Sequence, residues 1–446
     1  MIERYKDTYD FLNSVGPGFC LAKWTQVTIH LGSGLTHSCH HVGAHKIPLD
    51  ELEENVGALH NTKEKKARRK EMLTGVRPAE CDYCWRIEDN TSEYSDRVVK
   101  SIREWSQIDK DKIVAMPWDE DIYPRYVEVS FSNVCNFKCT YCGPPFSSKW
   151  TEEIKTHGPY KLKSNHYNRI KQEETQYKLN ENPYIKAFWE WFPEAVKHMV
   201  VFRITGGEPL LSKHTEQVIN YLLENPQPNL RFAINTNACP PDDRWERFVS
   251  LIKQLEDKNA IKDFELFTSA ESMGAQAEYS RFGMDWNLFE KNIRYFLKNT
   301  KQSKICVMSA FNILSLPSLT GYLRFLNDIK RSFGYDRIVA DFAYVRHPYF
   351  LDVKIANKDV IEKFFKPAIN YIKTHNRFVN YEAFKLSRIY KDCMSRLDNP
   401  LTDDVKENRF RFYQFITEYD RRRGTNFLKV FPEYRAFFKF CKDTYV

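Results

Sequence analysis

The sequence predicts an α/β protein built on a partial (β/α)6 barrel of parallel strands, with a cysteine-rich N-terminal module before it and a helical cover after it. Three observations carry this reading. From about residue 124, six short apolar runs alternate with segments of helical periodicity, the pattern that yields right-handed βαβ crossovers and a parallel sheet. Six units are fewer than the eight that close a full barrel. Ahead of the alternation, residues 1–118 are rich in cysteine, histidine and charge, whereas residues 351–446 are helix-rich and aromatic. Three regions follow: 1–118, 119–350 and 351–446.

The strands are expected at 126–131, 200–204, 230–235, 264–269, 305–311 and 337–345, each rich in β-branched and aromatic residues. After the third, Trp245, Phe248, Val249, Ile252 and Leu255 recur at helical spacing. After the fifth, Leu319, Tyr322, Leu323 and Leu326 do the same, with Ser315 as the expected N-cap and Pro317 in the first turn. The polar stretch 146–182 breaks the first unit and reads as an insertion near the site. In the C-terminal region Pro367 interrupts one helical stretch.

Bulk properties exclude several classes. The chain has 446 residues, 42% hydrophobic and 15% aromatic, enough for a sizeable core and contrary to disorder. No apolar run approaches the roughly 18 to 20 residues of a membrane span. The opening "MIERYKDTYDFLNSVG" has no apolar signal region, so a cytoplasmic location and no membrane partner are expected. The net charge of +8 is diluted by 59 acidic residues. One basic cluster, Lys63 to Lys70, reads as a solvated helix face, with contact to an acidic or nucleic-acid substrate as the alternative.

Cysteine usage points to chemistry. There are eleven cysteines, and in a reducing compartment clustered cysteines serve as metal ligands more often than as disulfides. Cys239, Cys306, Cys393 and Cys441 are scattered and read as ordinary thiols. By contrast, "SNVCNFKCTYCGPP" (132–145) directly follows the first strand and sets Cys135, Cys139 and Cys142 in a C-x3-C-x2-C spacing. Ligands gather at the carboxyl ends of parallel strands, and thiolates suit iron–sulfur clusters and zinc. A four-iron cluster on three cysteines leaves one iron open to a small molecule. A zinc knuckle with a remote fourth ligand is the competing reading.

This loop, with the aromatic Tyr141 before its last cysteine, closely resembles the radical S-adenosylmethionine (SAM) superfamily. The resemblance covers about residues 124 to 345 and implies a [4Fe-4S] cluster on Cys135, Cys139 and Cys142, with SAM bound at the open iron. It further implies reductive cleavage of SAM to a 5′-deoxyadenosyl radical that takes hydrogen from a substrate. The second strand ends in "ITGGEPLL". This resembles the family segment that holds the SAM amino group, a role carried over to Gly206, Gly207 and Glu208. Further cofactor contacts are implied for Tyr141, for Asn235 in "NTNA", for Ser269 in "FTSAES", for Arg281 after the fourth strand and for Asn312 after the fifth.

Upstream, Cys20, Cys39, Cys81 and Cys84 supply four thiolates, the last two in a C-x2-C pair followed by Trp85. Four thiolates suffice for a cluster or a zinc site. Their order resembles the SPASM or "twitch" auxiliary-cluster module, placed here before the barrel instead of after it. The resemblance implies a second, auxiliary [4Fe-4S] cluster, with zinc as the alternative metal. His37, His40, His41 and His45 crowd the second cysteine, and none is assigned as a ligand. The expected function is a radical SAM enzyme acting on a peptide or protein, in the manner of a maturase, fed by an electron donor such as flavodoxin or ferredoxin. Modification of a nucleotide or nucleic acid is the second reading, and a zinc-stabilised interaction protein the third.

Overall fold

The structure, a computed structural model, describes residues 2–164, 166–168, 181–397 and 403–444. Its strands are β1 (Gln26–His30), β2 (Leu35–His37), β3 (His45–Lys46), β4 (Tyr126–Ser130), β5 (Lys138–Cys139), β6 (Val201–Thr205), β7 (Gln227–Asn235), β8 (Ile261–Thr268), β9 (Arg281–Phe282), β10 (Lys304–Phe311) and β11 (Ile338–Tyr344). Nine of them form one sheet in the order β11-β10-β8-β7-β6-β4-β1-β2-β3, while β5 and β9 pair separately. From β11 to β1 every pairing is parallel. At the far edge β2 and β3 turn antiparallel. The pairing stays open between β3 and β11 among the described residues.

All six expected strands are present, in sequential order along the sheet. The seventh parallel strand, β1, was not expected. It pairs with β4 from Gln26↔Tyr126 to His30↔Ser130, so residues 26–46 continue the main sheet. The signal was in the sequence: Val27, Ile29 and Leu31 alternate with Gln26, Thr28 and His30, and all three apolar side chains are buried.

Alternation divides the sheet into two faces. Val127, Phe202, Phe232 and Phe264 form one row in register, fully or almost fully buried. Helices cover that face. The helix Arg244–Asp257 buries Trp245, Phe248, Val249, Ile252 and Leu255, as the spacing predicts. Glu128, Arg203, Glu265, Phe267 and Met308 occupy the other face at half-buried positions.

The helix Leu319–Phe333 also buries its expected stripe, but it starts differently. Ser315 is not its N-cap. A 3-10 turn, Ile313–Ser315, comes first, and the Ser315 hydroxyl accepts from the Asn312 N–H at 3.1 Å. Pro317 lies ahead of the helix rather than in its first turn. Asn312 captures the local donors before the helix can begin. Past the sheet, Pro367 falls at the start of the helix Lys366–Thr374, after a π-helical turn Ile361–Phe365, as an interruption requires.

Two further expectations need correction. The basic helix Lys63–Leu73 is not a simple solvated face, because Lys65 and Arg69 are buried. Arg69 donates to Asn61 Oδ1 at 2.9 Å and Lys65 to Thr36 Oγ1 at 2.6 Å. The insertion 146–182 is not merely polar where it is described. Trp150, Tyr160 and Tyr167 are buried, with Trp150 stacked on Tyr167 at 4.5 Å. Residues 165 and 169–180 of that segment lie outside the described residues. A second, smaller core of Leu12, Phe19, Leu21, Trp24, Met72 and Val98 holds the N-terminal region together. No helix among the described residues is long and apolar enough to cross a membrane.

Candidate active site at the carboxyl edge of the sheet

The carboxyl ends of β1, β4 and β6 meet in register at His30, Ser130 and Thr205. A cleft of about 120 Å³ opens there, and its walls include His30, Ser130, Asn133, Phe146, Gly206 and Gly207. This is the edge where parallel sheets bind ligands.

The cysteine loop leaves β4 beside this cleft and is held at many points. Ser147 Oγ donates to the Phe137 carbonyl at 2.7 Å, and the Cys135 N–H donates to Ser148 Oγ at 3.3 Å. Trp150 Nε1 donates to the Cys139 carbonyl at 2.9 Å. The short strand β5 pairs with β9 so that Cys139 stands opposite Arg281. All three thiols are half-buried. Burial raises each of them, Cys135 up to about 12. Metal binding takes thiols as thiolates.

Gly206 and Gly207 do two things. Both line the cleft, and both let the cysteine loop lie against the turn. A Cβ on Gly207 would sit 2.3 Å from the Val134 carbonyl oxygen, and Gly206 has φ of +126°. The Gly207 N–H donates to the Ser132 carbonyl at 3.1 Å and the Glu208 N–H to the Val134 carbonyl at 2.7 Å. The Glu208 side chain turns inward. Its carboxylate accepts from Leu210 N at 3.0 Å, Thr236 Oγ1 at 2.7 Å and Asn237 N at 2.6 Å. It locks the end of β6 to the end of β7. Glu208 is buried behind the turn, and Gly206 and Gly207 are the residues of this turn that line the cleft.

The remaining expected contacts are distributed unevenly. Asn235 Oδ1 accepts from Arg203 Nε at 2.7 Å. Asn312 is fully buried and spent on its own turn, so it does not face the cleft. Ser269 follows β8 at a half-buried position. The Tyr141 hydroxyl donates to Glu271 at 3.3 Å, and the Arg281 guanidinium lies 5.4 Å from the Tyr141 ring. Arg281 is buried, pairs with Glu271 at 2.7 Å and points Nη1 at Cys139 Sγ at 3.9 Å.

Sequence reasoning missed Glu271, Asn136, Asn237 and Arg423. Asn237 Nδ2 donates to Asn136 Oδ1 at 2.7 Å, tying the β7 loop to the cysteine loop. Arg423, at the end of the helix Asp403–Arg423, donates to the Lys138 carbonyl at 2.8 Å and to Glu153 at 2.8 Å. The signal for the first pair was the run Asn-Thr-Asn at a strand end. Arg423 lies far away in sequence and gave none.

The upstream cysteines converge. Cys81 caps the helix Asp82–Asn90 and Cys84 lies in its first turn. Cys84 is raised up to about 12 by burial, then by the neighbouring Cys20 and Cys39, and Cys81 up to about 12 by burial and by Cys20 and Cys84. Positive charge stands close by: Lys100 Nζ is 3.3 Å from Cys39 Sγ, and the buried Arg97 pairs with Glu88 at 2.7 Å. A contact path joins this site to the cleft. His37 Nδ1 donates to the Cys39 carbonyl at 2.9 Å, and His37 Nε2 lies 3.3 Å from Nε2 of the cleft residue His30.

Donor spacing bears on which metal fits. Among the described residues, the only three His, Cys, Asp or Glu ligand atoms all within 4.8 Å of one another belong to His40, His41 and Asp96. Sulfurs around a tetrahedral zinc sit about 3.8 Å apart. The loop after β4 offers three half-buried thiols, a soft donor set that fits an iron–sulfur cluster held by Cys135, Cys139 and Cys142.

Comparison with known proteins adds a similarity over part of the chain. Residues 129–262 match the family model of the Radical SAM superfamily. The chain is 28% identical over 114 residues to a GTP 3′,8-cyclase of Nautilia profundicola. That alignment covers 25% of this chain and 27% of the cyclase, about a quarter of each. Among solved structures, the FeFe-hydrogenase maturase HydG from Carboxydothermus hydrogenoformans aligns over 89% of this chain and 98% of its own, at 12% identity and a TM-score of 0.28. So low a score carries no argument about the fold.

Proposed function

We propose that this chain, with its Radical SAM superfamily segment at 129–262, is a radical SAM enzyme whose open sheet curves into a partial barrel around the cleft. The observation that carries the reading is a three-thiol loop at the carboxyl edge of the sheet, bonded along its backbone to the Gly206–Gly207 turn beside a cleft. Cys135, Cys139 and Cys142 hold the [4Fe-4S] cluster, and the glycine turn receives SAM. When bound and reduced, this pair of groups supplies a 5′-deoxyadenosyl radical that abstracts hydrogen from a substrate. The protein's own residues hold the loop rigid, shape the cleft and bury the charges around Cys139.

Cys20, Cys39, Cys81 and Cys84 hold an auxiliary [4Fe-4S] cluster in a SPASM- or twitch-like module. The contact path His30–His37–Cys39 supports this, because it runs from the cleft wall to that site. The substrate is a peptide or protein. The cleft wall carries exposed Phe146 beside polar Asn133 and Ser132, a surface suited to a side chain and backbone together. A flavodoxin or ferredoxin supplies the electron, in the cytosol. The nucleic-acid reading loses its main support, because two cations of the basic helix are buried and Lys66 pairs with Asp121.

The test is anaerobic purification, iron and sulfide counting, and detection of 5′-deoxyadenosine after reduction with SAM present. The wild type is expected to be brown, with broad absorption near roughly 400 nm. The triple variant Cys135→Ala/Cys139→Ala/Cys142→Ala is expected to form no 5′-deoxyadenosine. Undiminished SAM cleavage in that variant, or a colourless wild type carrying zinc alone, sinks the assignment.

A further inference from the structure

We propose that Arg281, with Glu271 as its counter-charge, sets the reduction potential of the cluster held by Cys135, Cys139 and Cys142. The inference rests on the proposed function and adds an electrostatic role for the buried pair beside the cysteine loop.

Three observations carry it. First, the position is fixed by backbone register. β5 and β9 form a two-stranded ribbon in which Cys139 pairs with Arg281 and Lys138 with Phe282. Thr140 N donates to the Ser280 carbonyl at 2.8 Å just beyond it. Second, the guanidinium reaches the ligand. Nη1 lies 3.9 Å from Cys139 Sγ, while Nε and Nη2 bond Glu271 at 3.1 and 2.7 Å. Third, the pair is sealed from water: Arg281 is 4% and Glu271 1% exposed, so little screening weakens its field.

Arg281 is the cation in contact with the sulfur. Arg423 also bears on Cys139 from the C-terminal helix, more weakly, while bonded to Glu153 and the Lys138 carbonyl. Lys138 is likewise paired with Glu153 at 2.6 Å. Tyr141 is neutral and hydrogen-bonded to Glu271.

The step affected is a one-electron reduction. One electron arrives from the donor, no bond forms or breaks, and no proton is taken up. The cluster and its thiolates gain one negative charge. A cation beside a ligand sulfur favours the state with more negative charge, and an anion disfavours it. Arg281 therefore raises the potential and Glu271 lowers it.

The experiment is an EPR-monitored redox titration of protein reconstituted with iron and sulfide, following the signal that changes when SAM is added. Four proteins are compared: wild type, Glu271→Gln, Arg281→Lys and the paired variant Arg281→Gln/Glu271→Gln. The paired variant leaves no charge stranded in the interior, so it is the one to use if Arg281→Gln alone does not fold. Glu271→Gln is expected to raise the reduced-to-oxidised ratio at fixed potential about tenfold, which is about 59 mV for one electron. The paired variant is expected to fall below the wild type, and Arg281→Lys to stay near it. Equal midpoints in all four proteins overturn the inference and leave Arg281 with the β5–β9 ribbon alone. A wild type that assembles no SAM-responsive cluster overturns the proposed function as well, which separates the two failures.

Discussion

Glu208 shows what one residue's surroundings add to a motif. The segment Gly-Gly-Glu-Pro marks a turn at a ligand-binding edge, and the structure puts its two glycines there. The carboxylate does something that no local pattern announces: it gathers three donors from two strand ends. Burial pushes its carboxyl up to about 7 against the pull of those donors. A carboxyl raised in the folded state holds its proton more tightly there than in the unfolded chain. Its contribution is then fully present below about pH 4.5 and fades as pH climbs through about 7, by about 3 kcal/mol over the whole span. The melting temperature of the wild type is expected to fall between pH 6 and pH 8 more steeply than that of Glu208→Gln. Equal slopes in a calorimetric pH series would show the carboxylate to be charged throughout. Cys135, Cys139, Cys142 and the glycines were legible because their chemistry is local in sequence. Glu271, ten residues from Arg281 and more than a hundred from Tyr141, was not, because only folding makes them neighbours.

At the scale of elements, the strands that carry long apolar runs were legible, whereas the parallel strand β1 and the short β2, β3, β5 and β9 were missed. β1 is five residues long and sits among cysteines and histidines, yet it extends the parallel sheet and brings His30 to the cleft. The basic helix was misread for a related reason. A run of like charges says nothing about which positions face inward, and at i, i+4 spacing Lys65 and Arg69 share the buried face. The C-terminal cover was recognised as helical, but its function in holding the site was hidden. The helix Asp403–Arg423 ends in Arg423, which is stacked at 4.7 Å from Trp150 and bonded to the strand that bears Cys139. Arg423→Ala removes that bond and leaves Glu153 buried with only Lys138 as a cation. It is expected to cost about 3 kcal/mol. Urea unfolding of the apoprotein measures this, and a loss under about 1 kcal/mol would mean that the cover is merely appended.

At the scale of the whole molecule, the fold places two thiol sites at opposite ends of β1, the triad loop beyond its carboxyl end and Cys20 and Cys39 beside its amino end at Gln26. One is the loop after β4. The other is built on the second core, where Cys20 and Cys81 pack against Leu12, Phe19 and Trp24. The two are joined through β1 and β2, whose ends carry His30 and His37. The alternation of strands and helices revealed the parallel order of the sheet, but nothing local in the sequence tied the N-terminal region to its edge. That join decides what the upstream site is for. If it holds a four-iron cluster, the wild type carries about eight irons per chain and the triad variant about four, still brown. If it holds zinc, the triad variant is colourless with one metal. The Cys81→Ala/Cys84→Ala variant separates structure from chemistry. It is expected to keep the triad cluster and cleave SAM, because β5, β9 and the glycine turn do not depend on those thiols. It is also expected to fail in converting a peptide substrate whose labelled carbon passes deuterium to 5′-deoxyadenosine in the wild type. Full conversion by that variant would reduce the upstream cysteines to a clamp on the sheet edge. Deuterium arriving only from a nucleotide or nucleic acid would replace the peptide reading with its rival.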